Sequence, residues 1–156
     1  MSAQHTLITC PCGAAQYATD HRPLMRAVFH CTICQRYNQA DCADISVFYA
    51  RHITTIADQT VAFAAHKNPP FVLRGTCAAC NAPALEQLRI PLMPRLTIVP
   101  TRNLSPTDSA PTPSMHIFYD RRKQDVSDNL PKHHGYLASQ TAFSIGLLRA
   151  MRAHRA

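Results

Sequence analysis

The chain of 156 residues alternates short apolar runs with turn-forming residues, and only its end carries a longer period. Ala14–Ala18 is a short run behind a Cys-Gly turn. Ile45–Ala50 (ISVFYA) is rich in the β-branched and aromatic residues that fit strands. Thr60–Ala64 (TVAFA) and Phe71–Arg74 (FVLR) flank a His-Lys-Asn-Pro-Pro segment, which predicts a hairpin-like reversal. Leu85–Ile90, Leu96–Val99 and His116–Tyr119 complete the predicted strands, and residues 103–114 (NLSPTDSAPTPS) read as a turn-rich surface loop. With twelve prolines against four glycines, no helix longer than about three turns can cross residues 90–115, because proline removes a donor and clashes in helix interiors. In the last twenty residues the period changes. Leu137, Ala138, Thr141, Ile145, Leu148 and Met151 recur at spacings of three and four, which predicts a helix over Ser139–Arg155 with those residues on one face. Arg149, Arg152 and Arg155 then lie at its negative end. Such a stripe must be buried on its own domain or against a second copy, so the helix is a candidate homodimer contact.

Composition narrows the class. Hydrophobic residues at 46% place the chain among globular proteins, and the length suits one domain. No apolar stretch approaches the ~20 residues of a membrane helix. The start, MSAQHTLITCPCG, lacks the cationic and then apolar segments of a signal peptide. Seven cysteines, an odd number without an export signal, predict a cytoplasmic, reducing setting in which cysteine serves metal or catalysis.

The formal charge of +7 is lopsided. Residues 1–66 hold four basic and four acidic side chains, and residues 67–156 hold twelve and five. A basic surface can attract anions or nucleic acid. No aromatic residues interleave the clusters at Arg121-Arg122-Lys123 and at the C-terminal end, as a single-strand platform requires. Nucleic acid is therefore a disfavoured partner.

Six cysteines form three pairs: Cys10-Pro-Cys12, Cys31-Thr-Ile-Cys34 and Cys77-Ala-Ala-Cys80. The two C-x-x-C pairs have the spacing of zinc knuckles. Two pairs complete one closed four-thiolate site, and a third pair leaves ligands for a site with an open position. Spacing alone does not say which pairs share a metal.

The runs Thr9-Cys10-Pro-Cys12-Gly-Ala, His30-Cys31-x-x-Cys34 and Gly75-Thr-Cys77-x-x-Cys80-Asn-Ala-Pro resemble the glutathione-dependent formaldehyde-activating enzymes, the domain shared with the centromere protein V group. Ser114-Met-His116-Ile-Phe-Tyr resembles the family's His-Ile-aromatic strand, and Ser127-Asp-Asn-Leu130-Pro131 its Asp-Gly-Leu-Pro turn. The resemblance covers residues 9–136. It implies a mainly β, Mss4-like (β-tent) fold of zinc-bridged antiparallel sheets over residues 1–136, followed by the amphipathic helix of residues 137–156. It also implies that Cys10, Cys12, Cys77 and Cys80 hold a structural zinc, and that Cys31 and Cys34 are catalytic and bind a second zinc.

The second site departs from the family pattern Cys-His-Cys-x-x-Cys, because Phe29 stands where its first cysteine would be. Cys31 and Cys34 could then bind zinc with His30 or Cys42 as a substitute ligand, or with an exogenous thiol, or leave the site empty with Phe29 in the core. The activity implied is carbon–sulfur lyase chemistry on thiol adducts such as S-hydroxymethylglutathione, with Arg36 or Lys132 as candidate holders of the thiol's carboxylates. The alternative is a non-catalytic, zinc-stabilised binding module for a protein or nucleic-acid partner.

Overall fold

The computed structural model describes residues 5–106 and 109–155. Two sheets and two helices make three layers. The small sheet has the order β10-β1-β2-β5, from β1 (Thr6–Thr9), β2 (Gln16–Thr19), β5 (Thr54–Ala57) and β10 (Leu104–Ser105). The large sheet has the order β11-β3-β4-β9-β8-β7-β6. Its strands are β3 (Met25–Phe29), β4 (Ala43–Tyr49), β6 (Val61–Ala65), β7 (Val72–Cys77), β8 (Pro83–Leu88), β9 (Leu96–Pro100) and β11 (His116–Ile117). Every pairing in the large sheet is antiparallel except β11 with β3.

The centre of the large sheet, β4 and β9, is buried on both faces, while its edge strand β6 is largely exposed. Along β4, Ile45, Val47 and Tyr49 enter one core with the C-terminal helix, while Phe48 enters a second core with Ile8, Tyr17 and Leu104 of the small sheet. On β9, Leu96 and Ile98 take the first side and Val99 the second. A strand buried on both faces shows a continuous apolar run instead of alternation, which is why the two segments stand out in the sequence. The observed strands shift the predicted bounds by a few residues. Their Thr60–Ala64 and Phe71–Arg74 members do pair as neighbours, Phe63 opposite Gly75.

Four strands and a helix escaped the pattern. β3 carries Arg26 in its middle, and Asp44 on the adjacent strand takes both its Nε and Nη2 at 2.8 and 2.6 Å. β1 is too short to show alternation, and β5 is mostly exposed. The helix α1 (Thr32–Asn38) buries Gln35 and Asn38 beside Cys34 and Tyr37, and those polar residues hide its period. Gln35 remains satisfied by donating to the His30 and Arg121 carbonyls. In the segment read as a loop, Leu104–Ser105 forms the edge strand β10, and residues 107–108 lie outside the described residues.

The helix α2 (Tyr136–Arg155) begins earlier than predicted and faces the other way. Ser139, Phe143, Leu147 and Met151 are its buried residues. Leu137, Ile145 and Leu148 of the predicted stripe are 78%, 45% and 48% exposed. Both sides of this helix are apolar, and the aromatic ring decides between them. Phe143 meets Phe29 edge to face at 5.2 Å. Gly146, one turn on, lets the methionines of the sheet approach, because a Cβ there would lie 2.9 Å from Met115 Cε. The helix thus belongs to the same core as the strands. No described helix is long and apolar enough to cross a membrane.

Candidate metal centre and a second cysteine pair

Two tight turns present the first four sulfurs. After β1 the chain folds back at once, with the Gly13 N–H donating to the Cys10 carbonyl at 3.0 Å. Gly13 has φ +78°, a conformation that glycine adopts without steric cost. The second turn repeats the device between β7 and β8. There the Asn81 N–H donates to the Cys77 carbonyl at 2.7 Å, and Asn81 takes φ +60°. Each turn returns the chain so that both sulfurs point to one side, and the Ala15 N–H points at Cys10 Sγ at 3.4 Å.

Cys10, Cys12, Cys77 and Cys80 meet with all four sulfurs within 4.8 Å of one another. Cys10 and Cys12 are 3.5 Å apart, Cys12 and Cys77 3.7 Å. A tetrahedron with zinc–sulfur bonds of about 2.3 Å has edges of about 3.8 Å, so the donors and their spacing fit such an ion. The electrostatics point the same way. Burial would raise the Cys77 thiol, but the Cys80 and Ala79 N–H groups and the Thr60 hydroxyl bring it to about 6. At Cys12 the Ala14 N–H would lower the value, but the Cys10 and Cys80 sulfurs drive it up to about 12. Four clustered thiols cannot all ionise without a compensating cation. A metal here would tie the small sheet to the large one, with no coordination position left open.

Cys31 and Cys34 lie in another layer, within the core that α2 shares with the large sheet. They are joined by a disulfide with a Cα–Cα distance of 5.2 Å. Cys34 is buried and Cys31 only partly so. Neither proposed substitute completes a metal site, since the four-cysteine cluster is the one such group among the described residues. Phe29 sits in the core against Phe143. Burial, with Asp44 and Asp41 nearby, raises the Cys42 thiol. The residues around this pair therefore do not fit a second metal.

His30 has a different role. Its Nε2 lies 2.9 Å from His116 Nδ1, and both rings are buried. Burial, with His116 and Arg122 adding to it, pushes His30 down to about 4, so it is neutral near pH 7. His116 Nε2 reaches Asp128 at 2.7 Å, and Lys132 Nζ reaches the other Asp128 oxygen at 2.6 Å. Lys132 and His116 together hold the Asp128 carboxyl well below the usual range. The chain Lys132–Asp128–His116–His30 joins the two late landmarks of the sequence and ends beside Cys31. Its members were named singly in the sequence, but their contact was not readable there, because 86 positions separate the two histidines.

An open cavity of about 320 Å³ lies along α1 and starts at Thr32, the residue after Cys31; Gln35, Arg36, Asp41 and Lys123 also line it. Arg36 lines this cavity. Lys132 does not, being held by Asp128, and Lys123 lines it 3.8 Å from Asp41.

A family model described as glutathione-dependent formaldehyde-activating enzyme matches residues 5–121. Among solved structures, a crystal structure of a Rhodobacter sphaeroides protein is similar, with a TM-score of 0.48 and 13% identity, covering 62% of this chain and 85% of that one. No curated protein matches the chain.

Proposed function

The chain belongs to the glutathione-dependent formaldehyde-activating enzyme family, and from that premise we propose that it makes or breaks the carbon–sulfur bond of small thiol adducts such as S-hydroxymethylglutathione, in a fold held by one zinc at Cys10, Cys12, Cys77 and Cys80. The observation that carries the reading is the cationic cavity beside Cys31, with Arg36 and Lys123 on its walls. A tripeptide thiol bears two carboxylates; Arg36 offers one of them a partner, and Lys123, 3.8 Å from Asp41, would exchange that contact for the other. The zinc supplies structure, because four thiolates leave it no open position.

The chemistry is then a matter of positioning. In breakdown, the adduct's hydroxyl gives up its proton and the C=O double bond forms. The electron pair of the C–S bond leaves with sulfur, and that thiolate is protonated. Cations that hold both carboxylates fix the reacting carbon and sulfur relative to the cavity wall, which lowers the entropic part of the barrier.

The test is the rate at which formaldehyde and glutathione equilibrate with S-hydroxymethylglutathione, followed by NMR exchange with reduced, zinc-loaded protein. An increase over the uncatalysed rate that falls at least tenfold in Arg36→Ala with Lys123→Ala supports the reading. A rate equal to buffer overturns it.

A second reading is a zinc-stabilised binding module without catalysis. It draws on Phe29, which stands where the family places a third thiolate. One zinc per chain together with no rate increase would favour it. For the nucleic-acid version, association should appear at low salt and weaken steeply as salt rises.

A further inference from the structure

Cys31 and Cys34 are joined to each other and are remote from the metal cluster. We infer that this pair is a redox couple, whose disulfide exchanges with a small carboxylate-bearing thiol seated in the cavity beside Cys31. The inference shares with the proposed function only the class of thiol, and it stands whether or not the protein acts on carbon–sulfur bonds.

Three observations lead to it. The first is what occupies position 29. A third thiolate there would let a metal compete for both sulfurs, but Phe29 packs its ring against Phe143 instead. His30, the other neighbour, is turned to His116. Nothing beside the pair holds the two sulfurs apart, so they are free to bond with each other. The second is asymmetry. Cys31 is partly exposed, and Cys34 is 6% exposed within the core. An incoming thiolate can reach only Cys31, and Cys34 must be the leaving sulfur. The third is the cavity. It starts at Thr32, next to Cys31, and its wall holds Arg36 and Lys123 against one carboxylate, Asp41; that excess of positive charge favours a thiol that carries carboxylates over a neutral one. A disulfide of this kind in a reducing compartment is transient and redox-active, not structural.

The exchange balances without a metal. A thiolate RS⁻ attacks Cys31 Sγ, the 31–34 bond breaks, and its electron pair goes to Cys34 Sγ, which is then protonated. A second RS⁻ attacks the outer sulfur of the mixed disulfide on Cys31, giving RSSR and the Cys31 thiolate. Two thiols are oxidised to one disulfide, and the protein disulfide is reduced to two thiols. Run in reverse, RSSR oxidises the pair.

The experiment equilibrates the zinc-loaded full chain with glutathione and its disulfide at stepped ratios. Free thiols are then trapped by alkylation, and the 31–34 peptide is read by mass spectrometry. The peptide should pass from doubly alkylated to disulfide over about a hundredfold change in [GSH]²/[GSSG], as a two-electron couple does, while zinc stays at one per chain. In Cys34→Ser, one glutathionyl group should accumulate on Cys31 and not on Cys42. If that variant does not fold, the titration of the unaltered chain decides alone. A pair that stays reduced at every ratio overturns the inference. So does one that glutathione never reduces, or a second zinc on the unaltered chain with the pair inert. Loss of lyase activity changes none of these readouts.

Discussion

Removing the metal from the four-cysteine site should unfold much of the protein, and the size of the effect follows from where the ligands sit. The nearest members of the two pairs are 65 positions apart. In the chain-entropy treatment, a cross-link closing a loop of that length stabilises by about 4 kcal/mol, through the freedom it denies the unfolded chain. A metal that binds all four sulfurs imposes that constraint as a minimum, since the folded state alone assembles the site. For a chain of this size, about 4 kcal/mol corresponds to roughly 8–16 °C in the thermal midpoint. The measurement is thermal unfolding with saturating zinc and again with a strong chelator, both under a reductant that keeps the thiols free. Cys77→Ser should reproduce the chelated midpoint without chelator, because Cys77 is fully buried at the centre of the cluster. A midpoint that moves by less than about 2 °C on chelation would mean the packing of the two sheets, not the metal, joins them, and the loop argument would be wrong.

Other parts of the molecule make their own predictions. Burial holds the Glu86 carboxyl up at about 7 against the pull of Arg74, from an ordinary 4.5. Between those values the folded chain carries a proton that the unfolded chain has lost, so stability should fall as pH rises from 4.5 to about 7 and then level off. Glu86→Gln should flatten that slope in denaturation series at pH 5 and pH 8, and an unchanged slope would remove Glu86 as its source. The Tyr17 hydroxyl is buried with no hydrogen-bond partner among the described residues, so Tyr17→Phe should stabilise, by as much as about 1–3 kcal/mol; a lower urea midpoint would show that the hydroxyl is satisfied. A Cβ at Gly75 would lie 2.9 Å from the Leu85 carbonyl oxygen and 2.7 Å from Phe63 Cε1. Gly75→Ala should therefore cost about 1–3 kcal/mol and loosen zinc, since Cys77 is two residues on; unchanged zinc affinity would show that the strand absorbs the methyl group.

The sequence carried the metal cluster well and the helix poorly, for related reasons. Cysteine has few uses at knuckle spacing, so the three pairs could be read as candidate ligands before any contact was known, and the family resemblance implied that Cys10, Cys12, Cys77 and Cys80 share one site. Apolar residues have many uses. Leu137, Ile145 and Leu148 obey helical spacing as well as Phe143 and Leu147 do, with Met151, predicted to be on the packed face and buried, at the border of both, and periodicity cannot rank two apolar faces of one helix. What ranks them is a distant surface: Phe29 accepts the Phe143 ring, and Met25 and Met115 close over Gly146. Arg26 in β3 and Gln35 in α1 show the converse. Each is polar and at least partly buried, and each becomes intelligible only with a partner far along the chain, Asp44 or the Arg121 carbonyl. The contact of His116 with Asp128 belongs to the same class.

The centre of the large sheet, buried on both faces, has a chemical consequence as well as a structural one. Thiols in one small protein ordinarily shuffle, since any thiolate that meets a disulfide can exchange with it. Here β4 and β9 form a partition. Cys10 and Cys77 belong to the core on one side, Cys34 to the core on the other. While the fold holds, the buried Cys10 and Cys77 sulfurs cannot meet the 31–34 bond across that wall, and Cys12, exposed at the surface, is the metal ligand that faces reagents from solution. Two sets of cysteines in 156 residues are thereby kept from exchanging with each other inside the molecule.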